Sequence, residues 1–175
     1  MNTEQTGENT LVNEFLEKQF DRVNVWLSFA EAKNGALIAF NIAVIAAVVG
    51  LMKDVPVLCA ACVISLIIST AIAFWSFVPN TGTDAKSVSE LSDEDVEKLN
   101  LVFYGDISRL NFDQYKELLC KRYLNGRSLD RYQDDLCKEI HYNSGITMRK
   151  YCFFKLALKV ELIAGVVMIA LIIAA

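Results

Sequence analysis

The sequence predicts an all-α membrane protein, with three transmembrane helices and a small helical cytoplasmic module between spans two and three. The prediction rests on three apolar runs, 35–52, 57–78 and 160–175. A hydrocarbon core about 30 Å thick needs about 20 mostly apolar helical residues. Lys53-Asp54-Val55-Pro56 alone separates the first two runs. Of the 175 residues 54% are hydrophobic, and the excess sits in these runs. That concentration argues against a soluble bundle of greasy helices.

Residues 1–10 are polar and read as disordered. Residues 11–34 read as a cytoplasmic amphipathic helix. Val12, Leu16, Phe20, Val23, Leu27 and Ala30 recur at steps of four and three, and Phe15, Trp26 and Phe29 widen the stripe. The helix continues without proline into transmembrane helix 1, residues 35–52. Trp26 and Phe29 then fall at the inner interface, where aromatic rings favour the headgroup level. The 53–56 segment is a tight outer turn, which makes spans one and two antiparallel neighbours. Transmembrane helix 2, residues 57–78, ends in Trp75 and Phe77, and Pro79-Asn80-Thr81-Gly82-Thr83 breaks it.

Residues 79–151 are expected to form a helical cytoplasmic module. Ser92 with Asp95 gives a capping-box-like start to a helix over 93–100. The mixed pattern of 101–110, around Gly105, reads as a structured loop, with a short strand as the alternative. Asn111 caps a helix over 112–124, with Phe112, Tyr115, Leu119 and Tyr123 on one side, and Asn125-Gly126 stops it. Leu129, Tyr132, Leu136, Ile140 and Ile146 keep helical spacing, and no proline follows Pro79. A second long helix is therefore expected from about residue 128 onward, ending in transmembrane helix 3, residues 152–175.

Positive residues set orientation. Lys18, Arg22 and Lys33 precede span one, Lys53 alone lies between spans one and two, and nothing charged follows Glu161. The N-terminus and module are expected in the cytoplasm and the C-terminus outside. The acidic N-terminus lacks the basic and apolar regions of a signal peptide, so no cleavage is expected. Acidic residues in the module balance its basic ones, which disfavours nucleic acid as a partner.

Catalytic chemistry is not expected. His141, the one histidine, lies in no hydrolase, protease or nucleotide-loop motif. The run Asp93-Glu94-Asp95-Val96-Glu97 suits a helix start, where the dipole favours negative charge. Cys59 and Cys62 have C-x-x-C spacing inside span two, but read as small packing residues. Cys120, Cys137 and Cys152 fall on the reducing cytoplasmic side. No catalytic residue, metal or cofactor is expected, and the chain reads as a non-enzyme.

Two segments are harder to explain as scaffold, FAEAKNGALIAFN at 29–41 and NSGITMRKYCFF at 143–154. Lys33, Asn34, Tyr142, Asn143, Arg149 and Lys150 join Tyr104 and Arg109 as candidate ligand residues. Aromatic faces stack on a base and arginine forks hold phosphate, so together they suit an anionic nucleotide. The competing reading makes Lys33, Arg149 and Lys150 positive-inside anchors. Asn41, Ser69, Thr70 and Glu161 are expected to form a polar layer between the spans, with Glu161 hydrogen-bonded to Asn41. In the alternative, span three starts later and Glu161 lies at the headgroups.

The segments FAEAKNGALIAFN, LVFYGDISRL and EIHYNSGITMRKYCFFKLAL resemble the transmembrane effectors of bacterial Pycsar antiphage systems (the PycTM family). The order span, span, module, span is also similar. The resemblance implies a multi-pass protein of the bacterial inner membrane with a cytoplasmic N-terminus. It implies a nucleotidyl cyclase as functional partner, and cyclic UMP or cyclic CMP as ligand. Sensing that cyclic mononucleotide would impair the lipid bilayer and abort infection. Three helices are too few for a wide pore, so a homo-oligomer is expected. The competing readings are a passive membrane scaffold or accessory subunit that docks a cytoplasmic protein, and a membrane enzyme.

Overall fold

A computed structural model describes residues 3–50, 53, 56–78 and 93–174. Helix makes up 86% of it and no strand occurs among the described residues, so the fold is all-α. The elements are α1 (Thr3–Gly50), α2 (Pro56–Trp75), α3 (Asp93–Lys98), α4 (Tyr104–Ile107), α5 (Phe112–Tyr123) and α6 (Arg131–Ala174). Residues 1–10, expected to be disordered, are helical from Thr3 onward. No proline interrupts that stretch. Pro56 begins α2, the helical position where a missing N–H costs least. Ser92 and the 79–83 breaker lie outside the described residues.

The chain divides into two compact units. Unit 1 takes Met1–Ser28 and Asn80–Met148, and unit 2 takes Phe29–Pro79 and Arg149–Ala175. Helices α1 and α6 contribute to both.

Unit 1 is organised around large apolar side chains. Leu16, Val23, Leu101, Ile107, Leu110, Tyr115, Leu119, Cys137 and Ile140 are among its buried cluster. Local polar bonds fix the elements around this core. Asn111 and Gln114 form a reciprocal capping box at the start of α5. Asn125 (φ 52°) and Gly126 (φ 74°) end that helix in left-handed geometry. The 101–110 segment contains a helical turn, α4, rather than a strand. Asn100 accepts from Val102 N at 2.9 Å and donates its own N–H to Asp106 Oδ2 at 3.0 Å, curling the chain. A Cβ at Gly105 would meet the Phe103 ring at 2.5 Å, so that partly exposed ring would have to shift. Arg122 donates to the carbonyls of Val96 (3.0 Å) and Leu99 (2.8 Å), which satisfies the end of α3.

Unit 2 has a different interior. Its apolar cluster is Leu37, Ala73 and Ala157, beside Ile38, Ile72, Phe154 and Leu158. The buried set also includes Asn34, Asn41, Ser69, Ser76 and Lys150. Large apolar side chains point outward, among them Phe40, Ile42, Ile64, Ile67, Phe74, Leu162 and Ile169. Among the described residues, two helices are long and apolar enough to cross a membrane, Asn9–Gly50 and Pro56–Trp75. Only 17% and 22% of their apolar windows is buried, unlike core helices of a soluble protein.

Candidate functional site

The four polar residues expected inside the spans meet in unit 2, where α1, α2 and α6 converge. Asn41 is wholly buried. Its Nδ2 donates to Ser69 Oγ at 3.2 Å and to Thr70 Oγ1 at 3.1 Å. Ser69 Oγ lies 2.7 Å from Glu161 Oε1 and 3.2 Å from the Ala157 carbonyl. The expected direct bond between Glu161 and Asn41 is thus replaced by a bridge through Ser69. A hydroxyl accepts and donates at once, so it links an amide donor to a carboxylate acceptor.

One heptad earlier on α1, buried Asn34 donates to the carbonyls of Ala30 (2.9 Å) and Lys150 (3.1 Å). Lys150 is only 8% exposed. Its ammonium donates to the Ser76 carbonyl at 3.1 Å and pairs with Glu31 Oε1 at 3.1 Å. The Phe77 ring centroid lies 5.1 Å away. A cation at the carbonyl end of α2 also suits the helix dipole. These contacts engage Lys150 within unit 2. Lys33 lies over the rings of Tyr151 (5.1 Å) and Phe154 (5.8 Å), and Arg149 over Phe153 (5.5 Å).

The remaining candidate ligand residues belong to unit 1. The Tyr104 ring packs against Phe103 at 4.6 Å and Trp26 at 5.7 Å. Arg109 is exposed, and Asn143 Nδ2 donates to Asn24 Oδ1 at 2.9 Å. Tyr142 is exposed on α6. The eight residues drawn together as one pocket therefore divide between two units, four in each.

His141 donates from Nε2 to the Leu110 carbonyl at 2.8 Å and stacks on Tyr115 at 6.0 Å. Burial pushes the Tyr115 hydroxyl well above its ordinary range. It pushes the Cys137 thiol up to about 12, far from a reactive thiolate. Hydrogen bonds from Lys116 (2.5 Å) and Lys138 hold the Asp134 carboxyl below its usual value. No group of three metal-ligating His, Cys, Asp or Glu residues occurs among the described residues.

Buried Gln19 and Gln133 escaped the sequence reading. Gln19 Nε2 donates to the Val102 carbonyl at 3.0 Å, and Gln133 Nε2 to Asn13 Oδ1 at 2.8 Å. Gln133 also forms a capping box with Asp130 at the start of α6. Its D-x-x-Q spacing is a legible signal. For Gln19, a polar residue beside an apolar stripe was the only one.

The family model of PycTM, the Pycsar effector protein domain, matches residues 15–175. The chain belongs to this family. No curated protein and no solved structure matches it. The match includes every candidate residue in both units. Membership in the Pycsar effector family supports a role as an antiphage defence effector. It implies a cyclic-nucleotide signal from a cyclase system. With the two apolar helices, it supports a membrane location.

Proposed function

We propose that this Pycsar effector is a three-span inner-membrane protein that senses a cyclic mononucleotide and then impairs membrane integrity, aborting infection. The family match over residues 15–175 carries this reading. Cyclic UMP and cyclic CMP are the proposed ligands, delivered by a nucleotidyl cyclase. Unit 1 is the cytoplasmic sensor. There Tyr104 offers an aromatic face and Arg109 an exposed guanidinium, the groups that stack on a base and fork onto phosphate. Span three is the apolar end of α6, over 152–175. The chain performs no catalysis and works as a homo-oligomer, since three helices enclose too little space for a wide pore.

A ligand drives such a change only by binding one state better than the other. Because α1 and α6 contribute to both units, a shift in unit 1 can reach the spans along the same helices. Binding of the purified full chain to a panel of cyclic mono- and dinucleotides tests the reading. Arg109→Ala should weaken binding about ten- to a hundredfold, the worth of one charge-assisted contact. Arg149→Ala should have a smaller effect, since Arg149 lies over Phe153. Unchanged affinity in Arg109→Ala would misplace the pocket, and no binding by the parent chain would remove the sensing role. A reporter fused after Ala175 should read as periplasmic and one inserted at Gly126 as cytoplasmic. A cytoplasmic signal from the first would eliminate the third span.

A further inference from the structure

We propose that Lys33, Lys155 and Lys159 form a binding site for the headgroup of an anionic phospholipid at the cytoplasmic boundary of the membrane. The proposal needs only unit 2 and rests on the reading of 152–175 as a span that starts on the cytoplasmic side. Charge is unevenly spread in this chain of net charge −4. Near that boundary stand five cations, Lys33, Arg149, Lys150, Lys155 and Lys159, against two carboxylates, Glu31 and Glu161. Both carboxylates are engaged: Glu31 pairs with Lys150, and Glu161 takes the Ser69 hydroxyl. Among the described residues no carboxylate pairs with Lys33, Lys155 or Lys159. In unit 1, by contrast, Lys116, Lys121, Arg122 and Lys138 each meet an aspartate or glutamate.

Position along α6 turns this excess into a site. Lys150 meets the Ser76 carbonyl and the Phe77 ring, so it marks the level of the aromatic end of α2. Lys155 and Lys159 follow about 7 and 13 Å further along the helix. Both are exposed, beside the outward apolar side chains of Leu156 and Leu162. On a span such positions face acyl chains, where an unpaired charge is costly. Helical side chains tilt toward the N-terminus, so both lysines reach back toward the headgroups. At i and i+4 they share one side of α6, where like charges repel. Lys33 brings a third ammonium to this stretch of α6, 5.1 Å from the Tyr151 ring and 5.8 Å from the Phe154 ring. A phosphodiester at headgroup level relieves the repulsion and supplies the missing counter-charge. A zwitterionic lipid brings its own ammonium and leaves the excess in place. A soluble anion would have to leave water to reach Lys159.

The test uses the purified full chain in phosphatidylcholine vesicles carrying a trace of spin-labelled phosphatidylglycerol or of spin-labelled phosphatidylcholine. The motionally restricted fraction of each label measures the lipid held at the protein. Phosphatidylglycerol should be favoured about fivefold, the worth of one lysine near an anionic surface. Lys155→Gln with Lys159→Gln should bring the ratio close to parity, and Lys33→Gln should lower it. Lys53→Gln, at the turn between α1 and α2, should leave it unchanged, as should inorganic phosphate added at constant ionic strength. Equal restriction of the two labels by the parent chain would overturn the proposal, as would parental selectivity in the double variant. An equal loss in Lys53→Gln would reduce the effect to general surface charge, and displacement by inorganic phosphate would give the lysines to a soluble ligand; either result rejects the site. If the double variant does not reconstitute, Lys33→Gln decides, and parental selectivity there rejects the site. No preference in the parent chain, alongside a periplasmic reporter after Ala175, would remove the lipid site and leave span three standing.

Discussion

Unit 1 buries a large cluster of leucine, isoleucine and tyrosine side chains with Gln19, Gln133, Ser144 and Thr147 among them, whereas unit 2 buries a small apolar cluster with Asn34, Asn41, Ser69, Ser76 and Lys150 and turns large apolar side chains outward. The outward apolar side chains of unit 2 fit a membrane location. In water, burying apolar area is the main favourable term. Helices in lipid gain nothing by hiding leucine from hydrocarbon, so small residues and interhelical hydrogen bonds hold them together. Ala73, Ala157, Ser69 and Asn41 fit that second rule, and the Leu16–Leu119–Ile140 core fits the first. One pair of helices follows both rules in turn. Along α1 the buried stripe runs through Leu16, Val23 and Ala30, then Asn34, Leu37 and Asn41.

The sharpest way to break this comparison is to remove equal apolar bulk from each unit. Leu119→Ala, at a site with 0% exposure, should cost about 3–5 kcal/mol through lost burial and a residual cavity. Ile67→Ala, at a site 53% exposed, should stay within about 0.5 kcal/mol. Hydrogen exchange of the full chain in micelles would compare them, and equal costs would mean that Ile67 packs in a core. The next effect concerns the buried charge. Lys150→Ala should cost about 1.5–3 kcal/mol by removing charged hydrogen bonds at the end of α2. Glu31→Gln, at a half-exposed carboxylate, should cost under about 1 kcal/mol. Detergent-induced unfolding in mixed micelles reads both, and the reverse order would place the pair's importance on Glu31.

The smallest effect sharpens the comparison from the side of unit 1, at the ion pairs of Asp134. Lys116 and Lys138 hold the Asp134 carboxyl below its ordinary value of 3.8. A depressed carboxyl contributes stability above its unfolded value and loses it as pH falls through the folded one. The stability gap between the parent chain and Asp134→Asn should be constant above pH 3.8 and close below it. A gap that persists at lower pH would show that Asp134 acts through packing instead of charge.

Local patterns were legible in the residues themselves. The four-and-three spacing from Val12 to Ala30 marks α1, because helical period is written in consecutive side chains. Asn111 and Asn125-Gly126 mark the ends of α5, because caps and left-handed stops involve neighbours in the chain. The turn at 104–107 was not legible, since it is only four residues long and Gly105 weakens any helix signal. The polar layer was foreseen as a group from depth along the spans, but its Ser69 bridge was not.

By itself, the sequence determined the long helices, the ends of α5 and the apolar stretches of α1 and α2, but neither the helical start at Thr3 nor the turn at 104–107. Those properties follow from backbone propensity and from the transfer of each side chain between solvents, both local. Only the tertiary structure decided the partners. Gln19 meets Val102 across 83 residues, Gln133 meets Asn13 across 120, and Ser69 meets Glu161 across 92. A hydrogen bond needs atoms within about 3.5 Å at a favourable angle, and that proximity is set by how helices pack. Packing also engaged the Lys150 ammonium between Glu31 and Ser76, and distributed the candidate ligand residues over two units.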